Sequence, residues 1–152
     1  MNYRKIIANT IIFGFLSIPL VMLLFWIFTP ATTIRALIVD KTVLTDKCNE
    51  HYCINWILKH EKFKKPNGDN YSASEDYYGF FPGKNKRFQI KDFSKFSESQ
   101  IDSMADFYQL AYFTDTYGVY YNEWYLDTFV NEYSTKFYGG MDLNDYNLLK
   151  RM

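Results

Sequence analysis

The segment Ile6–Phe28, IIANTIIFGFLSIPLVMLLFWIF, decides how the rest of the chain is organised. It contains no Asp, Glu, Lys or Arg, and the nearest such charges are Lys5 before it and Arg35 after it. A helix of this length, at about 1.5 Å per residue, covers the ~30 Å hydrocarbon core of a bilayer. The sequence therefore predicts a transmembrane helix, with the lipid bilayer as the partner of residues 6–28.

A cleaved signal peptide is the alternative for this segment. Signal-peptide cores usually comprise ~7–15 apolar residues and end at a small-x-small site. Here the apolar run is longer and ends at the bulky residues Leu24–Phe28, and Thr29–Ala31 is a poor cleavage site. An uncleaved anchor is therefore favoured. Arg4 and Lys5 form the denser positive flank, so the positive-inside rule places residues 1–5 in the cytoplasm and the body outside the cell membrane.

Composition limits what the body can be. The whole chain has 17 Lys and Arg against 17 Asp and Glu, and the basic residues of the body are scattered among acidic ones. No basic footprint for nucleic acid is present. Tyr and Phe number 14 each, which is ample material for a hydrophobic core. We expect residues 29–35 to form a linker and residues 36–152 to form one domain.

The body begins with the pattern of a strand followed by a helix. Ala36–Val39 is a continuous apolar run that ends at Asp40, as in strands buried on both faces of a parallel sheet. An amphipathic stretch follows, from about Glu50 to Lys62. Its residues at helical spacing are Ile54, Ile57 and Leu58, with Trp56 beside them. Together these segments predict the opening of a βαβ unit.

The middle of the chain contains further strand and helix signals. Phe88–Ile90 alternates and predicts a second strand, whereas the aromatic segment Tyr77–Pro82 fits either an extended strand or a loop. Ser97 and Gln100 form a capping box at the start of a helix. That helix leads into Leu110–Thr114, a short apolar run that predicts another buried strand.

The two apolar runs both end in an aspartate, Asp40 and Asp115. Parallel strands present their carboxyl ends along one edge, where ligands bind in doubly wound sheets. An aromatic loop, Thr116–Tyr125, follows at the same edge; its rings either pack into the core or form a ligand or partner platform. We therefore predict an α/β fold, a transmembrane helix followed by a partial doubly wound, mostly parallel sheet with flanking helices. The candidate ligand-binding residues are Asp40, Asp115, Tyr117, Tyr120, Tyr121 and Trp124.

The last part of the chain predicts one more helix. Asp142 or Asn144 can cap it, and Leu143, Leu148 and Leu149 give it an apolar side. In an α/β unit such a helix leads into another strand within a few residues, and here none follows. We therefore expect the domain to be incomplete, so that the missing carboxyl-terminal part of the same fold, or a protein partner, completes the sheet.

Four segments carry a resemblance to a known family: Val39–Val43, Asn55–Leu58, Asp76–Pro82 and Thr114–Tyr120. Over most of residues 34–152 the chain resembles the N-terminal part of bacterial membrane-anchored proteins whose outer domain is similar to the class I glutamine amidotransferase-like superfamily. The resemblance implies a flavodoxin-like α/β sheet. Active members of that superfamily carry a nucleophilic Cys on a sharp turn after a later strand, and this sequence ends before such a turn. No catalytic residue is therefore carried over.

Cys48 and Cys53 leave three interpretations open. A disulfide is allowed in an oxidising compartment if Cys48 lies in the turn before the helix, since residues five apart on one helix point in different directions. A metal site formed with His51 and His60 has suitable ligand types but an unfamiliar spacing, so no metal and no cofactor is predicted. Two free thiols are the third and favoured interpretation.

Two functions from different classes remain. The first is a non-catalytic, membrane-anchored module that binds a ligand or partner at the strand ends. The second is the N-terminal portion of an amidase or glutamine amidotransferase-like enzyme whose catalytic part is absent from this chain. A Cys or Ser on a strand–helix elbow would favour the enzyme, and the sequence contains no such elbow. The binding module is therefore the favoured hypothesis.

Overall fold

The computed structural model describes residues 3–126 and 134–152, so Met1 and Asn2, part of the predicted cytoplasmic segment, lie outside it. The chain divides into two units, Met1–Ala31 and Thr32–Met152. The first unit contains one long helix, α1 (Tyr3–Phe28), whose most apolar 18-residue window has a mean hydropathy of 2.6. By length and composition α1 is a candidate membrane span.

Two hydroxyl side chains within α1 donate hydrogen bonds to the backbone of the helix itself. The hydroxyl of Thr10 donates to the carbonyl of Ile6 at 3.0 Å, and that of Ser17 donates to Gly14 at 2.7 Å. Such bonds remove the cost of placing a hydroxyl in an apolar environment. Thr10 and Ser17 are therefore compatible with a lipid environment.

The second unit alternates strands and helices, in agreement with the predicted α/β class. Short 3₁₀ turns lie at Asn49–His51 and Lys84–Lys86, and a π-helical turn lies at Asn122–Leu126. In chain order, the other described elements are β1 (Thr32–Thr33), β2 (Ala36–Asp40), α2 (Tyr52–His60), β3 (Phe63–Lys64), β4 (Tyr78–Pro82), β5 (Phe88–Lys91), α3 (Glu98–Phe107), β6 (Leu110–Asp115), β7 (Val119–Tyr120), β8 (Lys136–Tyr138) and α4 (Leu143–Arg151).

The main sheet has the strand order β5-β4-β2-β6. β2 runs parallel to both β4 and β6, and β5 runs antiparallel to β4. All five residues of β2 are buried, which confirms the strand predicted from Ala36–Val39. The segment Tyr77–Pro82, which the sequence left open, forms strand β4. Two small additional sheets are present. β1 pairs with β3 in parallel, and β7 pairs with β8 in the antiparallel direction.

Alternate residues of β2 enter two different hydrophobic clusters. Ala36 and Ile38 pack with Leu58 of α2 on one face of the sheet. Leu37 and Val39 pack on the other face. Their partners there are Ile101 and Met104 of α3, Leu148 of α4, and Phe93, which precedes α3. Because side chains of a strand alternate between faces, one short strand organises helices on both sides of the sheet.

The helix starts agree with the predicted capping residues. Ser97 caps α3, since its hydroxyl accepts from the backbone of Gln100 and the side chain of Gln100 accepts from the backbone of Ser97 at 2.8 Å. Asp142 caps α4 in the same reciprocal manner with Asp145. These caps satisfy backbone groups that would otherwise have no partner at a helix start.

The buried sides of two helices differ from the predicted ones. In α2, Leu58 and Asn55 are buried, whereas Ile57 and Trp56 are exposed. In α4 only Leu148 of the three predicted leucines is buried. The reason is that polar residues, Asn55 in α2 and Asp145 in α4, occupy inward positions beside the sheet. Apolar periodicity alone therefore placed the buried stripe inaccurately.

Candidate functional site

Two consecutive charged residues lie where the central strand β2 ends: Asp40 is its last residue and Lys41 follows it. Asp40 and Lys41 have exposed fractions of 0% and 2%. Neighbouring residues of a strand point to opposite faces, and each of these two meets an oppositely charged partner on its own face. His51 faces Asp40, and Asp145 faces Lys41. The carboxyl end of β2 thus contains two buried ion pairs.

The carboxylate of Asp40 is fully engaged by groups from its own chain. Its Oδ2 accepts from Nδ1 of His51 at 2.7 Å. Its Oδ1 accepts from both the backbone N–H and the hydroxyl of Thr42, at 3.1 and 3.0 Å. The other ring nitrogen of His51, Nε2, lies 2.7 Å from the carbonyl oxygen of Ala73. Carboxylate and carbonyl oxygens are acceptors, so both ring nitrogens donate and the ring is an imidazolium.

Electrostatics agree with a charged His51. Burial alone lowers the pKa of this imidazole, but hydrogen bonds to Asp40 and to the carbonyl of Ala73 outweigh it, and the net pKa is raised. An imidazolium whose two nitrogens both donate has no lone pair with which to accept a proton. The Asp40–His51 pair therefore resembles part of a catalytic dyad but is not arranged as a general base.

Lys41 is equally engaged on the opposite face. Its Nζ donates to the carboxylate of Asp145, to the carbonyl of Gly140 at 3.2 Å and to Oδ2 of Asp142 at 3.2 Å. Burial raises the pKa of Asp145, while the bond from Lys41 opposes that rise. Since an ammonium group has three donors, Lys41 has none left for a ligand. The same contacts fix the start of α4 against β2.

Glycines allow the backbone to pack closely around these charges. Gly79 of β4 lies opposite Asp40 with a φ of +146°, and a Cβ at this position would be 1.6 Å from the carbonyl oxygen of Asp40. Gly139 likewise lies against Gly118, where a Cβ would be 2.2 Å from the Cα of Gly118. The loops after β6 and before α4 therefore meet at this edge, and Gly140 donates to Thr116 at 2.7 Å.

Asp40 and Asp115 lie at the same edge, as the sequence suggested. They are paired in the β2–β6 register, after an irregularity between Val39 and Asp40. Their carboxylates do not meet in one site, however. Asp40 is directed into the core, whereas Asp115 is exposed and its Oδ1 accepts from the backbone of Tyr117 at 2.7 Å. Asp40 has no free oxygen to offer a ligand there.

Four tyrosines from the loop after β6 form the feature that we call the tyrosine surface: Tyr117, Tyr120, Tyr121 and Tyr125. The rings of Tyr117 and Tyr120 are 4.9 Å apart, and those of Tyr121 and Tyr125 are 4.7 Å apart. Tyr117 is 62% exposed and Tyr121 is 52% exposed. A hydrogen bond with Tyr120 raises the pKa of Tyr117, so the Tyr117 hydroxyl stays protonated near neutral pH.

Trp124 differs from the other predicted platform residues. It is only 4% exposed, its ring packs edge-on against Phe80 at 5.0 Å, and its Nε1 donates to the carbonyl of Lys86 at 3.3 Å. Large aromatic rings favour burial once their single polar group has a partner. For Trp124, the interpretation of core packing therefore holds, and its indole is not available to a ligand.

Both cysteines are free thiols, so the alternative of a Cys48–Cys53 disulfide is not the arrangement in the structure. Cys48 is buried, and burial followed by the charges of Glu50 and Asp40 raises its pKa. A thiol with a raised pKa is a poor nucleophile. Cys53 is exposed on α2. Within residues 3–126 and 134–152, no three His, Cys, Asp or Glu side chains are placed to hold a metal ion.

Sequence reasoning did not single out Lys41 or Asp145, and considered His51 only as a metal ligand. A signal for Lys41 was present, since it directly follows a strand predicted to be buried. Its partner could not be identified, because Lys41 and Asp145 are separated by 104 positions.

Comparisons of the chain with protein-family models, with curated proteins and with solved structures give no match. The similarity to the glutamine amidotransferase-like superfamily therefore stays a prediction.

The first prediction concerns the pH dependence of stability. Because the folded pKa of His51 is raised above its unfolded value of about 6.5, its stabilising contribution is complete below that pH and is lost as pH rises through the folded pKa. We expect the melting temperature of the full chain in detergent to fall as the pH rises above about 6.5. In His51→Gln this component should disappear, while His60→Gln, an exposed control, should keep it. The same slope in His51→Gln and the unaltered chain would contradict the charged imidazole.

The second prediction separates the tyrosine surface from the core. Trp124→Ala removes a buried ring and should lower the free energy of unfolding by about 3–5 kcal/mol. Tyr121→Ala removes an exposed ring and should change it by no more than about 0.5 kcal/mol. Both variants are measured by urea unfolding of the full chain in the same detergent. Comparable losses would show that Tyr121 is a core residue as well.

Proposed function

We propose that this protein is a membrane-anchored α/β module that binds a partner protein through the tyrosine surface and catalyses no reaction there. One observation carries the proposal. Asp40 and Lys41, the buried charges at the carboxyl end of β2, are held by internal partners, whereas Tyr117, Tyr121 and Tyr125 are exposed. The rings therefore offer a surface for contact, while neither Asp40 nor Lys41 is free to act as an acid or base.

The arrangement of strands supports this location. β4 lies on one side of β2 and β6 on the other, with helices on both faces. We infer that the sheet is a partial doubly wound sheet, with β5 as an antiparallel edge. In such sheets ligands bind outside the carboxyl ends of the strands, where the strand order reverses. Here that point lies between β2 and β6, next to Asp115 and the loop that carries the tyrosine surface.

The exposure of the rings favours a protein partner over a small molecule. Small-molecule pockets are concave and bury 70–90% of a ligand. Tyr117 and Tyr121 instead leave more than half of their surface accessible. Tyrosine is enriched at protein interfaces, because its ring buries a large area and its hydroxyl forms one hydrogen bond. Asp115, exposed beside Tyr117, supplies a charge at the rim of the surface.

The anchor gives the module its place in the cell. α1 is a candidate span, and Arg4 and Lys5 precede its apolar part. We infer an uncleaved single-pass topology with the amino terminus in the cytoplasm and the body outside. The partner would then be an extracytoplasmic protein.

The third prediction uses Cys53 as a natural reporter of topology. Cys53 is exposed and Cys48 is buried, so a membrane-impermeant maleimide should react with Cys53 alone. In intact cells of the natural host we expect labelling without permeabilisation. Cys53→Ser should abolish the label and Cys48→Ser should retain it. Labelling that requires permeabilisation would place the body in the cytoplasm, and label on a soluble, shortened chain would show that the anchor is cleaved.

The fourth prediction tests the partner surface in cells. Tyr121 is replaced with the photo-reactive p-benzoylphenylalanine, and irradiation should link the chain to one partner of defined mass. The matched control carries the same residue at Tyr146, which is 54% exposed on α4. Adding Tyr117→Ala to the Tyr121 variant should reduce the adduct strongly, because it removes the most exposed ring of the surface. No adduct at Tyr121, or equal adducts at Tyr121 and Tyr146, would reject the proposal.

A further inference from the structure

A cleft opens at the amino end of β2, the opposite end of the sheet from the tyrosine surface. It arises because β2 and β4 are paired only at Val39 with Tyr78 and at Asp40 with Gly79. The residues of β2 before Val39 therefore have no strand partner on the β4 side, and a gap of about 300 Å³ lies there. That volume lies at the lower end of the range for small-molecule sites.

The hydroxyl of Tyr71 closes part of this gap. It accepts from the backbone N–H of Ala36 at 2.8 Å and donates to the carbonyl of Ile34 at 2.7 Å. One side chain thus satisfies the backbone where a neighbouring strand would otherwise do so. The backbone N–H of Ala36 therefore has a hydrogen-bond partner even though no residue of β4 pairs with it.

The lining of the cleft carries more positive than negative charge. Its charged residues are Arg35, Lys65, Lys91 and Asp76. Asp76 is already neutralised, since Nζ of Lys65 donates to both of its carboxylate oxygens at 2.9 and 3.1 Å. In the described part of the chain, neither Arg35 nor Lys91 lies in an ion pair. Two cations without a carboxylate partner thus line one cavity.

Each of these two cations lies over an aromatic ring. The guanidinium carbon of Arg35 is 5.3 Å from the ring centre of Phe107, and its Nε donates to the carbonyl of Phe107. Nζ of Lys91 is 4.7 Å from the ring centre of Tyr78. Such contacts hold a cation in place but leave its N–H groups able to donate to an anion. For Arg35 these are the two Nη groups.

The other lining residues are uncharged, and four of them are aromatic. Tyr71, Tyr78, Phe107 and Tyr108 contribute ring surface. Burial, followed by a hydrogen bond with Tyr78, raises the pKa of Tyr108, so this hydroxyl stays protonated. Apolar walls with a few charged groups are the usual composition of small-molecule sites. This cleft combines such walls with an excess of positive charge.

We propose that this cleft binds a small organic anion, with a carboxylate held by Arg35 and Lys91 and an apolar body packed against the aromatic lining. The site is independent of the tyrosine surface, because none of its residues belongs to that surface. Ala36, Leu37 and Ile38 of β2 also line the cleft, so the ligand would contact the strand whose other end carries the buried ion pairs.

The fifth prediction tests the cleft with two probes of nearly the same shape. 4-Fluorobenzoate carries the carboxylate, and 4-fluorobenzamide is its neutral counterpart. With the full chain in nanodiscs of zwitterionic lipid, the fluorine NMR signal of the benzoate should broaden in a saturable manner. The benzamide should bind at least about tenfold more weakly, as expected if a charge-assisted hydrogen bond worth roughly 1.5 kcal/mol is absent.

Three variants identify the site. Lys91→Met and Arg35→Met should each weaken benzoate binding by about tenfold or more, for the same reason. Lys150→Met, which removes an exposed lysine of α4, is the matched control and should bind as the unaltered chain does. Lys91 lies on the exposed strand β5, so its variant tests the site even if Arg35→Met loosens the contact with Phe107. Equal binding of both probes, unchanged binding in Lys91→Met or no saturable binding would overturn the proposal.

Discussion

The second unit depends on the neutralisation of two opposite charges that are buried at adjacent positions, at the end of β2 and directly after it. Asp40 holds His51 at the start of α2, and Lys41 holds Asp145 at the start of α4. Removing one member of a buried pair typically costs about 3–5 kcal/mol, because the other charge is left without compensation. Replacing a whole pair with apolar residues is often neutral, so the main effect of these pairs is to fix where the two helices dock.

The same interactions determine what the carboxyl edge can do. Asp40 and Lys41 occupy positions where α/β proteins often carry functional groups, yet neither has a free atom for a ligand. Gly79 and Gly139 let the backbone pack closely around them. The proposed contact with a partner therefore involves the loop that follows Asp115 instead of Asp40 or Lys41.

Sequence reasoning succeeded where the signal was local. The buried strand at Ala36–Val39 follows from continuous apolar residues, and the start of α3 follows from the reciprocal bonds of Ser97 and Gln100. Such patterns depend on residues within a few positions of each other. The adjacency of Asp40 and Asp115 followed from these strands, because parallel strands end at one edge.

The remaining features depend on contacts between distant parts of the chain. The partner of Lys41 lies 104 positions away, and the burial of Trp124 depends on Phe80. Asn55 occupies an inward position that apolar periodicity assigns to a hydrophobic residue. The cleft near Arg35 exists because β2 and β4 are paired at only a few residues. The extent of this pairing cannot be read from a periodic sequence pattern.

The long separation between Lys41 and Asp145 also has a consequence for the order of folding. A growing chain is made from its amino end, and Lys41 emerges long before the residues of α4. Until then its ammonium group has to stay hydrated, because burying it alone would be costly. β2 therefore cannot be fully enclosed while synthesis is under way, and contacts this far apart in sequence form slowly. A nascent chain would thus keep this central strand accessible to chaperones until α4 has been made.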